Sequence, residues 1–364
     1  MASKPKANSH NARILAALQG VAERKLDGLY VTSLHNVGYL TGFTGSNGAV
    51  LLTSDGNAIL FTDPRYTVQS KQQVKCSVVI ATGPVAGAAA TEIQRRKLRR
   101  VGFEADHMTV AQLDALERAI PSRVRLKRWS GLVEQLRMVK DAEEISRIRE
   151  SVINNSAALE AALSGFWSGM TEADLATEID YQNRKLGAEA PAFDTIVAAG
   201  KRSALPHAHP GDAKIGPGIL LIDMGAFRDG YASDMTRMVH VGAAPAKYKR
   251  AYRAVLEAQL AAIDRVKAGA TTRSVDLAAR QTLRRYGLER EFIHSTGHGL
   301  GLEIHEPPRI GKKDLTKLQA GMAITIEPGV YIEGWGGIRI EDTVLVTEKG
   351  CEILTPTTKE LREI

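Results

Sequence analysis

Apolar positions change period repeatedly along the first third of the chain. In ARILAALQGVAERKLDG, Ile14, Leu15, Leu18 and Val21 recur at helical spacing, and Gly28 closes the segment. LYVTS, GAVLLT and NAILFTD are apolar runs of strand length, the last two joined by SDGN, a hairpin-type turn. CSVVIAT, the helix-like AAATEIQRRKL, RVGFEA and VAQLDALERAI continue the alternation. The pattern predicts a compact mixed α/β domain over residues 1–130, with a linker at 131–140.

From residue 141 the periods lengthen. DAEEISRIRESVINNSAALEAAL is a long amphipathic helix by its pattern, turning Ile145, Ile148, Val152 and Leu159 inward. TEADLATEIDYQNRKLG follows, with Thr171 as expected N-cap, Asp174 three residues on, and Gly187 at the close. Strands are expected at FDTIVAAG, GILLIDMG and TRMVHVG. Two further helices are expected, AKYKRAYRAVLEAQLAAIDRVKAG and TRSVDLAARQTLRRYG, before strand-rich MAITIEPGVYI, GIRIEDTVLVT and CEILT. Two successive sets of helices and strands suggest an internal pseudo-repeat within 141–364.

Composition narrows the class. A chain of 364 residues has room for two domains, and 44% hydrophobic with 24% charged residues is ordinary for a globular protein. The two cysteines, Cys76 and Cys351, lack CxxC spacing and cannot build a disulfide framework, which fits a reducing cytosol. No run approaches the roughly 18 apolar residues of a membrane span. MASKPKANSHNAR lacks the apolar stretch of a signal peptide, so a cytoplasmic protein is expected.

The net charge of +7 is unevenly spread. Residues 1–140 carry 20 Lys and Arg against 10 Asp and Glu, leaving 28 against 31 for the remainder. The densest run, Arg95 to Arg100, reads as a solvated helix end. Aromatic interleaving and nucleic-acid modules are missing, so no nucleic-acid partner is expected.

Chemistry concentrates in the last two thirds. HSTGHGLGLEIHE sets His294, His298 and His305 among glycines. It lacks the glutamate of HExxH, and its glycines oppose a helix, so they are expected to let backbone crowd a site into which a histidine points. Acidic residues end several apolar strands: Asp223 in LLIDMGA, Asp234 in YASDMTRMV, Glu327 in AITIEPGVY and Glu341 in GIRIEDTVLV. An unpaired buried carboxylate is costly, and divalent cations offset that cost. Four carboxylates and one imidazole exceed the usual set for one tetrahedral zinc and suit two metals about 3.5 Å apart.

The combined pattern DMG…SDMTR…GHGLGLEIHE…EPGVY…IRIED resembles the pita-bread metallopeptidases, the group of aminopeptidase P, prolidase and, more distantly, methionine aminopeptidase. YLTGFTGSNGAVLLT…FTDPRY is similar to the creatinase-type N-terminal domain carried by the first two. The resemblance covers nearly the whole chain. It implies an α/β (α+β) architecture, with a creatinase-like domain before a pita-bread catalytic domain.

Position by position, the resemblance implies that Asp223 holds one metal, that Asp234 and Glu341 bridge both, and that His298 and Glu327 complete the ligand set of the second metal. Glu327 would also move a proton during attack of activated water. His305 would donate to the tetrahedral intermediate, His294 would line the pocket beside the proline ring, and His207 in SALPHAHP would contact the substrate carbonyl region. Ala208 stands where some relatives have glycine, so the resemblance assigns no role to His209. Arg339, two residues before Glu341 and so on the same strand face, resembles the arginine that orients acidic ligands and Tyr331. Two divalent metals per chain are implied; oxygen-rich ligation favours Mn²⁺, and the imidazole permits Co²⁺ or Zn²⁺. A homodimer is expected by analogy.

The implied reaction is hydrolysis between an N-terminal residue and a following proline, a bond whose missing N–H and fixed φ resist general aminopeptidases. Aminopeptidase P takes longer peptides, and the sequence reading favours it slightly. Prolidase takes Xaa-Pro dipeptides and must capture a free carboxylate, for which Arg309, Lys312 and Lys313 in EPPRIGKKDLTK are available. Creatinase lacks the metal ligands, methionine aminopeptidase lacks such an N-terminal domain, and non-catalytic relatives typically lose ligands that this chain keeps.

Overall fold

The computed structural model describes residues 9–364 and divides the chain into two compact units, Met1–Arg137 and Met138–Ile364. The start of the N-terminal segment considered above for a leader lies outside the described residues.

The first unit is one six-stranded mixed sheet with strands β1 (Gly28–Val31), β2 (Gly48–Thr53), β3 (Ala58–Thr62), β4 (Ser77–Ile80), β5 (Arg100–Glu104) and β6 (Arg125–Trp129). Their order is β4-β3-β2-β1-β5-β6, and β1 pairs antiparallel with β2 but parallel with β5. Its helices are α1 (Ser9–Glu23), α2 (Leu34–Thr41), α3 (Thr67–Gln73), α4 (Val85–Arg95), α5 (Val110–Ala119) and α6 (Leu132–Met138). Alternation on β2 and β3 turns Leu51, Ile59 and Phe61 onto Ile93 of α4 and Leu116 of α5. The basic run is a paired surface: Arg95 and Arg96 bond Glu92, and Arg100 lies 3.5 Å from Asp27. A polar knot that periodicity does not reveal joins β5, α2 and α6. Fully buried Asn36 donates to both Glu104 and Glu134 at 2.6 Å.

The second unit carries helices α7 (Ala142–Ser164), α8 (Glu172–Lys185), α9 (Ala246–Ile263) and α10 (Thr272–Arg285). Strands β7 (Ala190–Pro191), β8 (Ile196–Ala199), β9 (Gly218–Met224), β10 (Ala226–Arg228), β11 (Tyr231–Ala232) and β12 (Met235–Val241) come from its first half. Its second half supplies β13 (Gly297–Gly299), β14 (Glu306–Ile310), β15 (Ala323–Ile326), β16 (Gly329–Ile332), β17 (Gly336–Arg339), β18 (Asp342–Val346), β19 (Cys351–Ile353) and β20 (Arg362–Glu363). The two larger sheets run β20-β12-β9-β8 and β14-β13-β15-β18-β19.

The period-2 pattern decides which way each side chain faces. On β9, Leu220 and Ile222 pack on Leu159, Leu163, Leu175 and Ile179 of α7 and α8. Ile219 and Leu221 point the opposite way, into a larger core with Tyr248, Tyr252 and Val255 of α9 and Ile324, Ile326 and Ile338 of the second half. The next residue on that inner face is Asp223.

The pseudo-repeat is visible in backbone geometry. Thr171 and Thr271 both cap their helices with side-chain bonds, and both form isolated bridges, to Lys214 and Lys317. Gly187 and Gly287 both follow the helices with positive φ.

Two apolar runs break where continuous strands are expected. AITIEPGVY divides into β15 and β16 around Glu327 and Pro328, and proline has no N–H for a ladder. GIRIEDTVLV divides into β17 and β18, and the Glu341 N–H leaves the ladder for the Thr236 carbonyl. Each break carries a carboxylate.

Candidate metal centre

Asp223 pairs across the sheet with Ile196 and Thr236, which places it at the wall shared by both halves of the second unit. Asp234 stands two residues before Thr236, on the same face. Thr236 receives the Nε–H of Arg339 at 3.0 Å and donates its hydroxyl to Glu341 Oε2 at 2.7 Å. Arg339, at the end of β17, and Glu341, in the break before β18, therefore meet one hydroxyl.

His298 enters from β13, whose flanking glycines are required by packing. A Cβ on Gly297 would overlap the Thr325 carbonyl, and one on Gly299 would overlap the Pro307 carbonyl. His298 Nδ1 faces its neighbour's carbonyl, Gly299 O, at 3.0 Å, so Nδ1 carries the proton and Nε2 is free as a lone-pair donor. That Nε2 lies 3.5 Å from both Asp234 Oδ2 and Glu327 Oε1. Asp234, His298 and Glu341 each offer a ligand atom, all within 4.8 Å of one another.

This donor set fits divalent cations. Asp223 Oδ1 and Glu341 Oε1 are buried without a hydrogen-bond partner, an arrangement that desolvation opposes unless a cation completes it. Burial, reinforced by Asp223 and Glu327, holds the Asp234 carboxyl well above the usual range. Burial, with Asp234 and Glu327, does the same for Glu341. Glu327 is raised by burial although His298 and Arg339 oppose the shift.

All five residues line a cavity of about 830 Å³, together with His207, His209, His294, His305, Arg309 and Arg339. Lys312 and Lys313 do not line it. Phe193, Ile196 and Pro206 supply apolar wall. The His305 ring meets the His298 ring edge-on at 4.4 Å, and desolvation is the largest cause that lowers its pKa. Exposed His207 lies on the loop between β8 and β9.

His294 is committed at both nitrogens. Arg339 Nη1 donates to the Tyr331 hydroxyl at 2.5 Å, the hydroxyl donates to His294 Nε2 at 3.0 Å, and Nδ1–H donates to Ser295 O. Burial lowers His294 to about 4, and raises Tyr331 to about 12, so both are neutral near pH 7. What His294 offers the cavity is its ring.

Several supporting residues escape sequence reading. Thr236 could have been found, since it follows Asp234 at strand spacing. Lys140, paired with Glu306 at 3.1 Å, carries no local signal, and Asp276 and Arg280 read locally only as an i,i+4 pair on α10. Arg280 donates to the carbonyls of Phe292 and His294, and Asp276 accepts from Thr296, so this pair fixes the segment bearing His294.

Residues 146–348 match the model of metallopeptidase family M24, and residues 13–139 match the creatinase/prolidase N-terminal domain. The chain is 37% identical over 343 residues to a Xaa-Pro dipeptidase of Pyrococcus furiosus, covering 93% of this chain and 96% of that one. A solved Xaa-Pro dipeptidase from Bacillus anthracis superposes with TM-score 0.95 at 38% identity, over 98% of this chain and 100% of its own. A solved X-Pro aminopeptidase from Thermotoga maritima superposes with TM-score 0.88 at 35% identity, over 94% and 99%.

Proposed function

The chain belongs to metallopeptidase family M24, and from that premise we propose that it is an Xaa-Pro dipeptidase, hydrolysing the bond between an N-terminal residue and a C-terminal proline. The observation that carries this reading is full-length similarity to Xaa-Pro dipeptidases around a cavity lined by acids, imidazoles and one free-standing arginine. It moves the preference from aminopeptidase P, favoured slightly by sequence, to prolidase.

Asp223, Asp234, His298, Glu327 and Glu341 are proposed to hold two divalent ions, with Mn²⁺ preferred because four of five ligands are carboxylates. Bound there, the ions would polarise the scissile carbonyl and make water acidic enough to attack near neutral pH. Glu327 takes the proton from the attacking water and returns it to the proline nitrogen. His305, with its proton-bearing nitrogen toward the carbonyl oxygen, stabilises the charge that develops there. His207 holds the substrate carbonyl region, and the His294 ring packs against the proline. Arg339 orients Asp223.

Arg309 is the proposed partner of the dipeptide carboxylate. It stands opposite His298 in the β13–β14 ladder, with its side chain at the cavity. Lys312 and Lys313 are set aside because neither lines it.

No helix among the described residues is long and apolar enough to cross a membrane. Free Cys76 and Cys351 support the proposal of a cytoplasmic enzyme, and a homodimer is proposed from the family resemblance.

Aminopeptidase activity is the second reading, favoured by the Thermotoga maritima likeness. Cavity size does not separate the two, because about 830 Å³ lies within the range for small ligands and accommodates either peptide. Hydrolysis of Ala-Pro against Ala-Pro-Ala, on chelated enzyme with and without Mn²⁺, tests both. Metal-restored cleavage of the dipeptide alone supports prolidase; efficient release of Ala from the tripeptide supports aminopeptidase P; cleavage of neither refutes the proposal.

A further inference from the structure

The loop carrying His207 is closed by a carboxylate outside the cavity. Glu172, the first residue of α8, is fully buried and is not part of the cavity wall. Its Oε1 accepts from the Ala199 N–H at 2.7 Å, where β8 ends. Both its oxygens accept from Arg202 Nε, at 3.1 and 3.0 Å, and Oε2 receives a long 3.4 Å bond from the Gly211 N–H. Arg202 then crosses the loop, donating Nη2–H to the His209 carbonyl at 2.6 Å. One carboxylate and one guanidinium thus tie residues 199, 202, 209 and 211, bracketing Pro206, His207 and Ala208 at the cavity wall.

The same helix end holds the return leg. The Glu172 and Ala173 N–H groups donate to the carbonyls of Ala213 and Gly211, bonds that a helix's first turn has free. From the cavity side, Gly337 N donates to Ser203 Oγ and Arg339 Nη1 to the Pro206 carbonyl. The loop is therefore held on two sides, by Arg339 next to the metal ligands and by Glu172 away from them. A buried carboxylate is costly, and its four hydrogen bonds, along with Arg202's reach to His209, all serve the segment 199–211 that brings His207 and His209 to the cavity wall.

We propose that Glu172 and Arg202 are positioning residues that set the His207 ring for substrate, an inference that rests on the proposed Xaa-Pro hydrolysis. Neither meets the peptide; both act through the shape of loop 199–211.

Double-mutant cycles on the metal-loaded enzyme test this. Glu172→Gln and Arg202→Ala are each expected to lower kcat/KM for Ala-Pro by roughly 10- to 100-fold, the scale of a small misplacement at a reacting group. Combined with His207→Ala, each is expected to add no further loss, with metal content unchanged. Arg202 is 42% exposed in its side chain, so Arg202→Ala carries the test if Glu172→Gln does not fold. Losses that simply add to that of His207→Ala, or unchanged kcat/KM in both single variants, would overturn the proposal. A parent enzyme inactive on Ala-Pro would refute the dipeptidase reading instead. Amide exchange on metal-free protein then decides the clamp: residues 200–210 should exchange faster in Arg202→Ala, and unchanged protection would overturn it.

Discussion

Arg339 Nη2 donates to Asp223 Oδ2 at 2.6 Å and leaves Asp223 Oδ1 buried with no partner. One oxygen is fixed and the other is kept available, which is how an outer arginine aims a ligand. Arg339→Met, which keeps the volume and removes the fork, is expected to weaken Mn²⁺ binding by about 10- to 100-fold. Calorimetric titration of chelated protein reads this directly, and parental affinity in the variant would contradict the orienting role.

Protons and metal compete for the acidic cluster. Asp234, Glu327 and Glu341 are raised by burial, so the folded metal-free protein binds protons more tightly than the unfolded chain. Stability must then fall as pH rises. The contribution is complete below the ordinary carboxylate range, about pH 4, and is lost as pH climbs through the raised values. Saturating Mn²⁺ should raise Tm more at about pH 8 than at about pH 6, because fewer protons need displacing. An equal increment at both pH values would count against the cluster as the metal site.

Ligand and donor roles separate in two variants. Asp234→Ala should abolish activity and metal loading together, since it removes an oxygen from the group of three donors within 4.8 Å. His305→Ala should lower kcat with metal content unchanged, because its contact with the centre is the ring of His298. Elemental analysis beside kinetics checks both, and metal loss in His305→Ala would refute the role given to it.

How far sequence alone reaches follows from what each residue answers to. Asp223 and Asp234 were legible because they end apolar runs whose period fixes their face, and His298 because its glycines mark a backbone that must approach another closely. Glu327 and Glu341 were legible as acids, but the strand breaks that release them depend on Pro328 and on the distant Thr236 carbonyl. The residues around Arg100 to Trp129 illustrate the limit. β6 (RLKRW) alternates weakly, with only Trp129 buried, and is set by pairing with β5. Glu172 reads locally as an ordinary acidic first-turn residue, and its bonds lie about thirty residues away.

Lys140 and Glu306 form an ion pair whose side chains are 1% and 3% exposed. Removing Lys140 takes the balancing cation from a buried carboxylate, which keeps the Glu303 N–H but sits in a medium that solvates charge poorly. Lys140→Met is expected to cost about 3–5 kcal/mol, and adding Glu306→Gln should recover part of that loss. Denaturant unfolding of the metal-loaded protein measures both, and a Lys140→Met variant as stable as the parent would show that the pair contributes nothing.

Arg309 provides the sharpest distinction between the two peptidase readings. A charge-assisted bond to a carboxylate is worth about 1.5–3 kcal/mol, so its loss should change affinity by roughly tenfold or more. Arg309→Ala is therefore expected to raise KM for Ala-Pro by about that factor and to leave KM for Ala-Pro amide nearly unchanged, because the amide carries no carboxylate. Metal content should match the parent, since Arg309 faces the cavity from β14 and holds no ligand. Equal effects on acid and amide would mean that Arg309 shapes the cavity without reading the peptide's end, and the preference for dipeptides would then need another source.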